Sequence, residues 1–470
     1  MLPRRVVLPT RTSSSEPRSS LESPEGARRH FGRVVTTSQS RDQSANAASV
    51  RRRFFGTDGV RGIVGEDLTA DLVERLGRAA TYWSGRGRIF VGRDTRASGT
   101  ELEEAFARGI VSAGGHAVLA GVVPTPAVAL LALDLGIVVS ASHNPPEYNG
   151  VKFFDREGQK LTDAAELEIE ALLDVPPAAV PGEIDRVDVA VDSYLEHVVE
   201  RFGSDLTGLR LAVDCANGAY SGLAPKAFRE LGAEVVAIGD APDGTNINVG
   251  YGATDLAALS RTVVENGLDL GVAFDGDGDR MLAVDSRGEI VDGDQIVAVL
   301  ALHLGVDLVA VTVMTNLGFH RVMEERGVRV VTTDVGDRYV LEALRREGGL
   351  LGGEQSGHII YLRDHVTGDG LASALLLCAA LEGRSLADAA AVMPHFPQVK
   401  ENVRVARREV PPAVLEEAER INATLGSSGR VLVRPSGTEP VIRVLAEAET
   451  VSEAETLCGT IAALVSRELG

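Results

Sequence analysis

The stretch Arg88-Ile-Phe-Val-Gly92 reads as a short buried strand, because a run of strand-favouring apolar residues closes on a glycine. From Glu101 onward Leu102, Ala105, Phe106 and Ile110 recur at helical spacing, which makes one face of a helix apolar. Ala117-Val-Leu-Ala-Gly121 then reads as a second strand. Strand, helix and strand in series are the unit of a sheet covered by helices. The unit occurs twice more. Leu209-Arg-Leu-Ala-Val-Asp214 leads through a helix over 224–231 to Glu234-Val-Val-Ala-Ile238. Asp307-Leu-Val-Ala-Val-Thr-Val313 leads through a helix over 319–326 to Val328-Arg-Val-Val-Thr-Thr333. Each helix stops beside glycine, at Gly114-Gly115, Gly232 and Gly327. The units lie a domain length apart and each carries its own glycine-rich loop. They therefore predict an α/β protein with three related domains and mixed sheets, in preference to three crossovers of one large sheet.

Past Met393-Pro-His-Phe-Pro397 the pattern changes. Asn402-Val-Arg-Val405, a helix over 412–425, Arg430-Val-Leu-Val-Arg434, Val441-Ile-Arg-Val-Leu445 and a last helix from Ser452 predict a smaller C-terminal α+β domain, approached through a proline-rich linker. The expected domains span 51–185, 186–290, 291–393 and 394–470. Residues 1–50 are rich in Arg and Ser, lack Lys and show no apolar period, so disorder is expected there. Such a leader fits a transit peptide, a basic tail, or an untranslated stretch before a start at Val50; Glu16, Glu22, Glu25 and Asp42 weigh against the first.

A chain of 470 residues, 44% hydrophobic and 24% charged, has the make-up of a multi-domain globular protein. Its net charge of −20 excludes a general nucleic-acid binder, which needs a basic face. An anionic small molecule remains open if arginines gather locally. No apolar run reaches the length of a membrane span. Cys215, Cys378 and Cys458 stand at unpaired spacings, which argues against disulfides or zinc and leads us to expect a reducing, cytoplasmic location.

Four loops carry chemistry. Gly136-Ile-Val-Val-Ser-Ala-Ser-His-Asn-Pro145 runs from a buried strand into a polar tip stopped by proline, and reads equally as a reactive loop or as a turn bonded to its own backbone. Phe274-Asp-Gly-Asp-Gly-Asp-Arg280 sets Asp275, Asp277 and Asp279 at alternate positions between two apolar strands. Carboxylates that close repel one another unless a cation joins them, and oxygen-only ligation suits Mg²⁺ or Ca²⁺. An EF-hand is excluded, because Arg280 and Ser286 stand where that loop needs Gly and Glu. Arg434-Pro-Ser-Gly-Thr-Glu-Pro440 could cradle a phosphate with Arg434, its hydroxyls and the backbone at Gly437, helped by Arg443; taken alone it reads sooner as a Ser-Gly hairpin. Gly352-Gly-Glu-Gln-Ser-Gly-His358 offers groups that suit sugar hydroxyls, or a structural histidine. Two arginine-bearing turns, Phe55-Gly-Thr-Asp-Gly-Val-Arg-Gly62 and Gly92-Arg-Asp-Thr-Arg96, accompany these. Arg93 and Arg96 read as structural ion pairs, and Lys152 lies near the polar tip, where it could move a proton or hold phosphate.

The ordered set Ser-Ala-Ser-His-Asn-Pro145, Asn149-Gly-Val-Lys-Phe-Phe154, Asp275-Gly-Asp-Gly-Asp-Arg280, Gly353-Glu-Gln-Ser-Gly-His358 and Arg434-Pro-Ser-Gly-Thr-Glu-Pro440 resembles the α-D-phosphohexomutase superfamily. Phe55-Gly-Thr-Asp-Gly-Val-Arg-Gly62, Asp243-Gly-Thr-Asn-Ile-Asn-Val-Gly250 and Val335-Gly-Asp-Arg-Tyr-Val340 make it similar to the phosphoglucosamine mutase family within it, from Arg51 to the C-terminus. The resemblance implies four domains around a central cleft, each giving one loop. It implies a mutase that interconverts glucosamine 6-phosphate and glucosamine 1-phosphate through a 1,6-bisphosphate, for amino-sugar and cell-wall precursor synthesis. A glucose or mannose phosphate mutase, or a non-catalytic sugar-phosphate sensor, are the alternatives.

The resemblance selects Ser142 over Ser140 as phosphoserine and implies that Asp275, Asp277 and Asp279, with a phosphate oxygen on Ser142, bind one Mg²⁺. Glu354 and Ser356 would grip sugar hydroxyls. Arg434, Ser436, Gly437, Thr438 and Arg443 would hold the non-reacting phosphate, and Arg61, His143, Lys152, Arg280 and His358 would surround the reacting groups. Between Thr125-Pro-Ala-Val128 and Gly136 the chain runs shorter than the family pattern, which could shift the Ser142 loop, and Asp364-His-Val-Thr-Gly-Asp-Gly370 is slightly compressed.

Overall fold

The computed structural model describes residues 53–56, 58–407, 409–436 and 440–469. The leader expected to be disordered lies outside them. The first sheet contains β1 (Val60–Ile63), β2 (Arg88–Arg93), β3 (His116–Val122), β4 (Leu135–Val139), β5 (Tyr148–Asp155) and β6 (Glu183–Arg186). Its order is β1-β5-β4-β2-β3-β6, parallel in β4-β2-β3-β6 and antiparallel where β5 meets β1 and β4. The second holds β7 (Arg210–Asp214), β8 (Glu234–Ile238), β9 (Leu270–Phe274), β10 (Met281–Asp285) and β11 (Ile290–Val291), ordered β11-β10-β9-β7-β8. The third holds β12 (Leu308–Thr312), β13 (Arg329–Thr333), β14 (Leu351–Gly353) and β15 (Ile359–Tyr361), ordered β13-β12-β14-β15. Each of these three sheets keeps a parallel centre and turns antiparallel at one side. The mixed sheets are those expected from the repeated strand–helix–strand unit.

The last sheet is wholly antiparallel: β16 (Gln398–Arg404), β17 (Gly429–Pro435) and β18 (Val441–Ala448), ordered β16-β18-β17, with helices Pro412–Leu425 and Val451–Leu469. Its core, built on Val414, Ile442, Val444, Ile461 and Val465, is separate. A continuous apolar core, by contrast, runs from Phe90 and Val138 through Val213 and Phe274 to Leu351 and Leu371, joining the first three sheets' layers. The proline-rich approach read as a linker is packed against the third domain. Met393 and Phe396 are buried, and Asn316 pins Phe396 through both its amide N–H and its carbonyl.

The three cysteines are buried and free. Among the described residues no helix is long and apolar enough to cross a membrane.

Candidate active site

β4 is buried along its whole length and delivers the polar tip to the first sheet's C-terminal end, the place where open α/β sheets form crevices. Ser142 at that tip is buried and takes φ 55°, a left-handed conformation that non-glycine residues adopt only where their surroundings impose it. The surroundings are a polar clamp. Arg96, fully buried, pairs with Asp94 at 2.9 Å and donates to the carbonyls of Ser142 (3.0 Å), Asn144 (2.8 Å), Tyr148 (2.9 Å) and Pro145. Asn248 from the second domain donates to the carbonyls of Ser142 at 2.9 Å and Asn144 at 3.1 Å. Ser140 is engaged within the protein. Its hydroxyl donates to Asp94 at 2.6 Å and accepts the amide of Ser142 at 2.9 Å.

The Ser142 hydroxyl donates to Asp275 Oδ2 at 2.6 Å and lies 3.3 Å from His143 Nδ1. The shortened approach after Thr125 has therefore not displaced the loop from the aspartates. Asp275, Asp277 and Asp279 are all buried, and one oxygen from each lies within 4.8 Å of the others; this is the one such cluster among the described residues. Burial, and then the charges of Asp279 and Asp277, push the Asp275 carboxyl up to about 8. Buried oxygens of Asp277 and Asp279 (Oδ1 of each) accept no hydrogen bond. Hard oxygen donors, mutual repulsion and orphaned lone pairs fit a divalent cation. Lys152 supplies the present countercharge from β5. Its Nζ lies 2.6 Å from Asp277, 2.9 Å from Asp279 and 3.4 Å from Asp58. Burial opposes the Lys152 charge, but these carboxylates outweigh it and hold the ammonium well above its ordinary value.

In front of this cluster opens a cavity of 580 Å³ lined by the first three domains. Arg61, His143, Arg280, Glu354, Ser356 and His358 line it, together with Asp279 from the metal-type loop. Burial and then the cations Arg280 and Arg61 push His143 down to about 4, so it stands neutral. His358 lies between two acids, 3.4 Å from Asp337 and 3.6 Å from Asp279; burial opposes its charge, but they raise its affinity for a proton. Arg61 pairs with Asp58 and donates to the Ala141 carbonyl at 3.1 Å. Burial raises the Glu354 carboxyl, and one of its oxygens accepts the Gly336 amide at 3.1 Å. Cations and carboxylates on one wall suit a polyhydroxylated anion.

Arg434, Ser436 and Arg443 do not line this cavity. They meet each other instead. Arg434 and Arg443 stand directly opposite across β17 and β18, and Arg443 donates to the Ser436 hydroxyl at 3.2 Å. Like charges facing across a ladder are destabilising, which an anion between them relieves. Gly437 and Thr438 lie outside the described residues.

The cavity also holds residues whose roles the motifs did not assign. Lys160 bridges Asp58 and Asp337, tying the first domain to the third, and Arg338 adds a bond to Asp163 at 2.5 Å. One signal was available: lysine occurs only at 152, 160, 226 and 400 in this arginine-rich chain, and two of the four sit here. Gln355, inside the sugar-type motif, turns away from the cavity to Asp292 and, across the domain boundary, to Gln398.

Four family models match in order: phosphoglucomutase/phosphomannomutase alpha/beta/alpha domain I over residues 52–176, domain II over 192–288, domain III over 292–396 and the C-terminal domain over 401–464. The phosphoglucosamine mutase of Pelotomaculum thermopropionicum is 47% identical over 88% of this chain and 98% of its own. That of Thermobifida fusca is 49% identical over 89% and 99%. Among solved structures, a phosphoglucomutase/phosphomannomutase family protein of Burkholderia thailandensis aligns with a TM-score of 0.77 at 26% identity, covering 88% of this chain and 97% of that one. The fold is also that of the N-acetylphosphoglucosamine mutase of Aspergillus fumigatus, solved with GlcNAc-6P and magnesium, with a TM-score of 0.63 at 18% identity over 90% and 97% of the two chains. With four successive domain models matched and near-half identity sustained along almost the whole length of these relatives, the chain belongs to the phosphoglucosamine mutase family of the α-D-phosphohexomutases.

Proposed function

We propose that this enzyme interconverts glucosamine 6-phosphate and glucosamine 1-phosphate, using Ser142 in its phosphorylated form. The observation that carries the reading is the buried contact between the Ser142 hydroxyl and Asp275 at 2.6 Å, made by a loop held in a left-handed turn beside three crowded carboxylates. Phosphoryl transfer asks chiefly for positioning and for charge neutralisation, and both are built here. Asp275, Asp277 and Asp279 would hold one Mg²⁺, which supplies positive charge beside the transferring group. Arg61 and Arg280 add fixed positive charge at the cavity wall. In each half-reaction the bond from phosphorus to one oxygen breaks as the bond to another forms. Ser142 gives its phosphate to one sugar hydroxyl and takes the other phosphate back, so the bisphosphate reverses its orientation in between. His143, neutral and 3.3 Å from the Ser142 hydroxyl, is the group placed to carry a proton there.

By this reading residues 51–185 supply the seryl loop, 186–290 the metal loop, 291–393 the sugar loop with Glu354 and Ser356, and 394–470 the phosphate cradle. The cradle comprises Arg434, Ser436, Gly437, Thr438 and Arg443. A cytoplasmic site suits a substrate drawn from sugar-phosphate metabolism. The test is a comparison of kcat/KM on glucosamine 6-phosphate, glucose phosphate and mannose phosphate, with and without Mg²⁺. A preference for either of the last two would defeat the glucosamine assignment, and turnover undiminished by chelation would defeat the metal assignment.

A further inference from the structure

Thr125 opens the short helix Thr125–Leu130 of the first domain, yet its polar atoms serve the second. Its amide donates to the main-chain carbonyl of Asp277 at 2.8 Å, and its hydroxyl donates to Asp277 Oδ2. The same Oδ2 accepts Lys152 Nζ at 2.6 Å. Two donors of the first domain therefore saturate one oxygen of this carboxylate. The other, Oδ1, is buried and accepts no hydrogen bond. A buried carboxylate oxygen left without a donor is costly unless something else binds it, and a carboxylate whose plane is fixed by one partner presents its second oxygen in a single direction.

We propose that Thr125 is a positioning residue for the metal, gripping Asp277 at main chain and side chain so that Oδ1 is the atom offered to the cation. The proposal rests on the reading of the three aspartates as a divalent-cation site. Because the grip reaches across a domain boundary, it also makes the geometry of the site depend on how the first and second domains are seated.

The experiment is calorimetric titration of full-length protein with Mg²⁺ and Mn²⁺, for the wild type, Asp277→Asn, Thr125→Val and Thr125→Ser, with melting in chelator as the check on folding. Thr125→Val should weaken both ions by roughly tenfold or more, the size of effect that outer-shell partners have on metal affinity, while Thr125→Ser stays near the wild type. Should Thr125→Val not fold, Thr125→Ala against Thr125→Ser decides the same point. A Thr125→Val protein that binds both ions as the wild type does would overturn the proposal, as would a Thr125→Ser protein as weak as Thr125→Val. Equal binding by the wild type and Asp277→Asn would instead remove the aspartate site itself, and the proposal with it.

Discussion

Ser142 is fixed by what holds its carbonyl more than by what touches its hydroxyl. Arg96 and Asn248 converge on that oxygen, and the left-handed φ persists because moving it would strand both donors. Ser142→Ala should lower mutase activity by at least about a thousandfold, and by intact mass it should carry no phosphate where the wild type carries one. Arg96→Lys should do lesser but still large harm from a distance. A lysine cannot fork to four carbonyls, so kcat should fall about a hundredfold with KM little changed, which steady-state kinetics on glucosamine 6-phosphate would read. The aspartates were legible in the sequence because their chemistry is contiguous, three acids with glycines between. Arg96 was legible as a structural arginine paired with its neighbour, but not its targets, which lie on a later loop. Lys160, Asp337 and Thr125 escaped for a related reason: each acts on a partner from another domain, and a single residue carries no pattern.

At the level of elements, periodicity located the strands and helices well, since they bury apolar faces or whole apolar runs and several helices stop beside a glycine. The helix read over 412–425 spans Pro412–Leu425. The helix read from Glu101 begins instead at Gly99, because capping geometry is not visible in an apolar period. Periodicity also could not show that Met393–Pro397, punctuated by prolines, is packed, because its fastening comes from Asn316 far upstream. The Asp275–Arg280 loop offers a sharper test. Gly278 has φ 78°, and a Cβ there would come within 2.4 Å of the Tyr220 ring. Gly278→Ala should therefore cost about 1–3 kcal/mol through backbone strain, more where the ring cannot yield, and should weaken Mg²⁺ binding. Gly305→Ala, at the end of helix Gly293–Leu304 with nothing within 4 Å, carries the same backbone penalty of about 1–2 kcal/mol. It should leave metal affinity untouched. Denaturant melts combined with metal titrations separate the two.

For the molecule as a whole, the shared apolar core of the first three domains and the sealed core of the fourth predict two cooperative units. Calorimetry should resolve two transitions, and substrate should raise the smaller if the Arg434–Arg443 pair holds its phosphate. Among the buried groups that shape the pH range of stability are Asp294 and His320. Burial and then Asp292 push Asp294 up to about 7, so its contribution is complete below its ordinary value near 3.8 and is lost as pH rises through 7. Burial and then Arg430 push His320 down to about 4, so its contribution is present above 6.5 and is lost as pH falls toward 4. Asp294→Asn should flatten the alkaline side of a melting-temperature profile between pH 5 and 8 and leave the acid side unchanged.

Lys152, whose ammonium spans Asp277, Asp279 and Asp58, has a consequence at this same scale. The chain carries a surrogate ion of its own, so the fold need not wait for a metal to become tolerable. Metal uptake would then bring a second cation to Asp277 Oδ1 while Lys152 keeps Oδ2. Chelator should lower the melting temperature of the wild type only slightly, whereas Lys152→Gln should become strongly dependent on added Mg²⁺ for its stability.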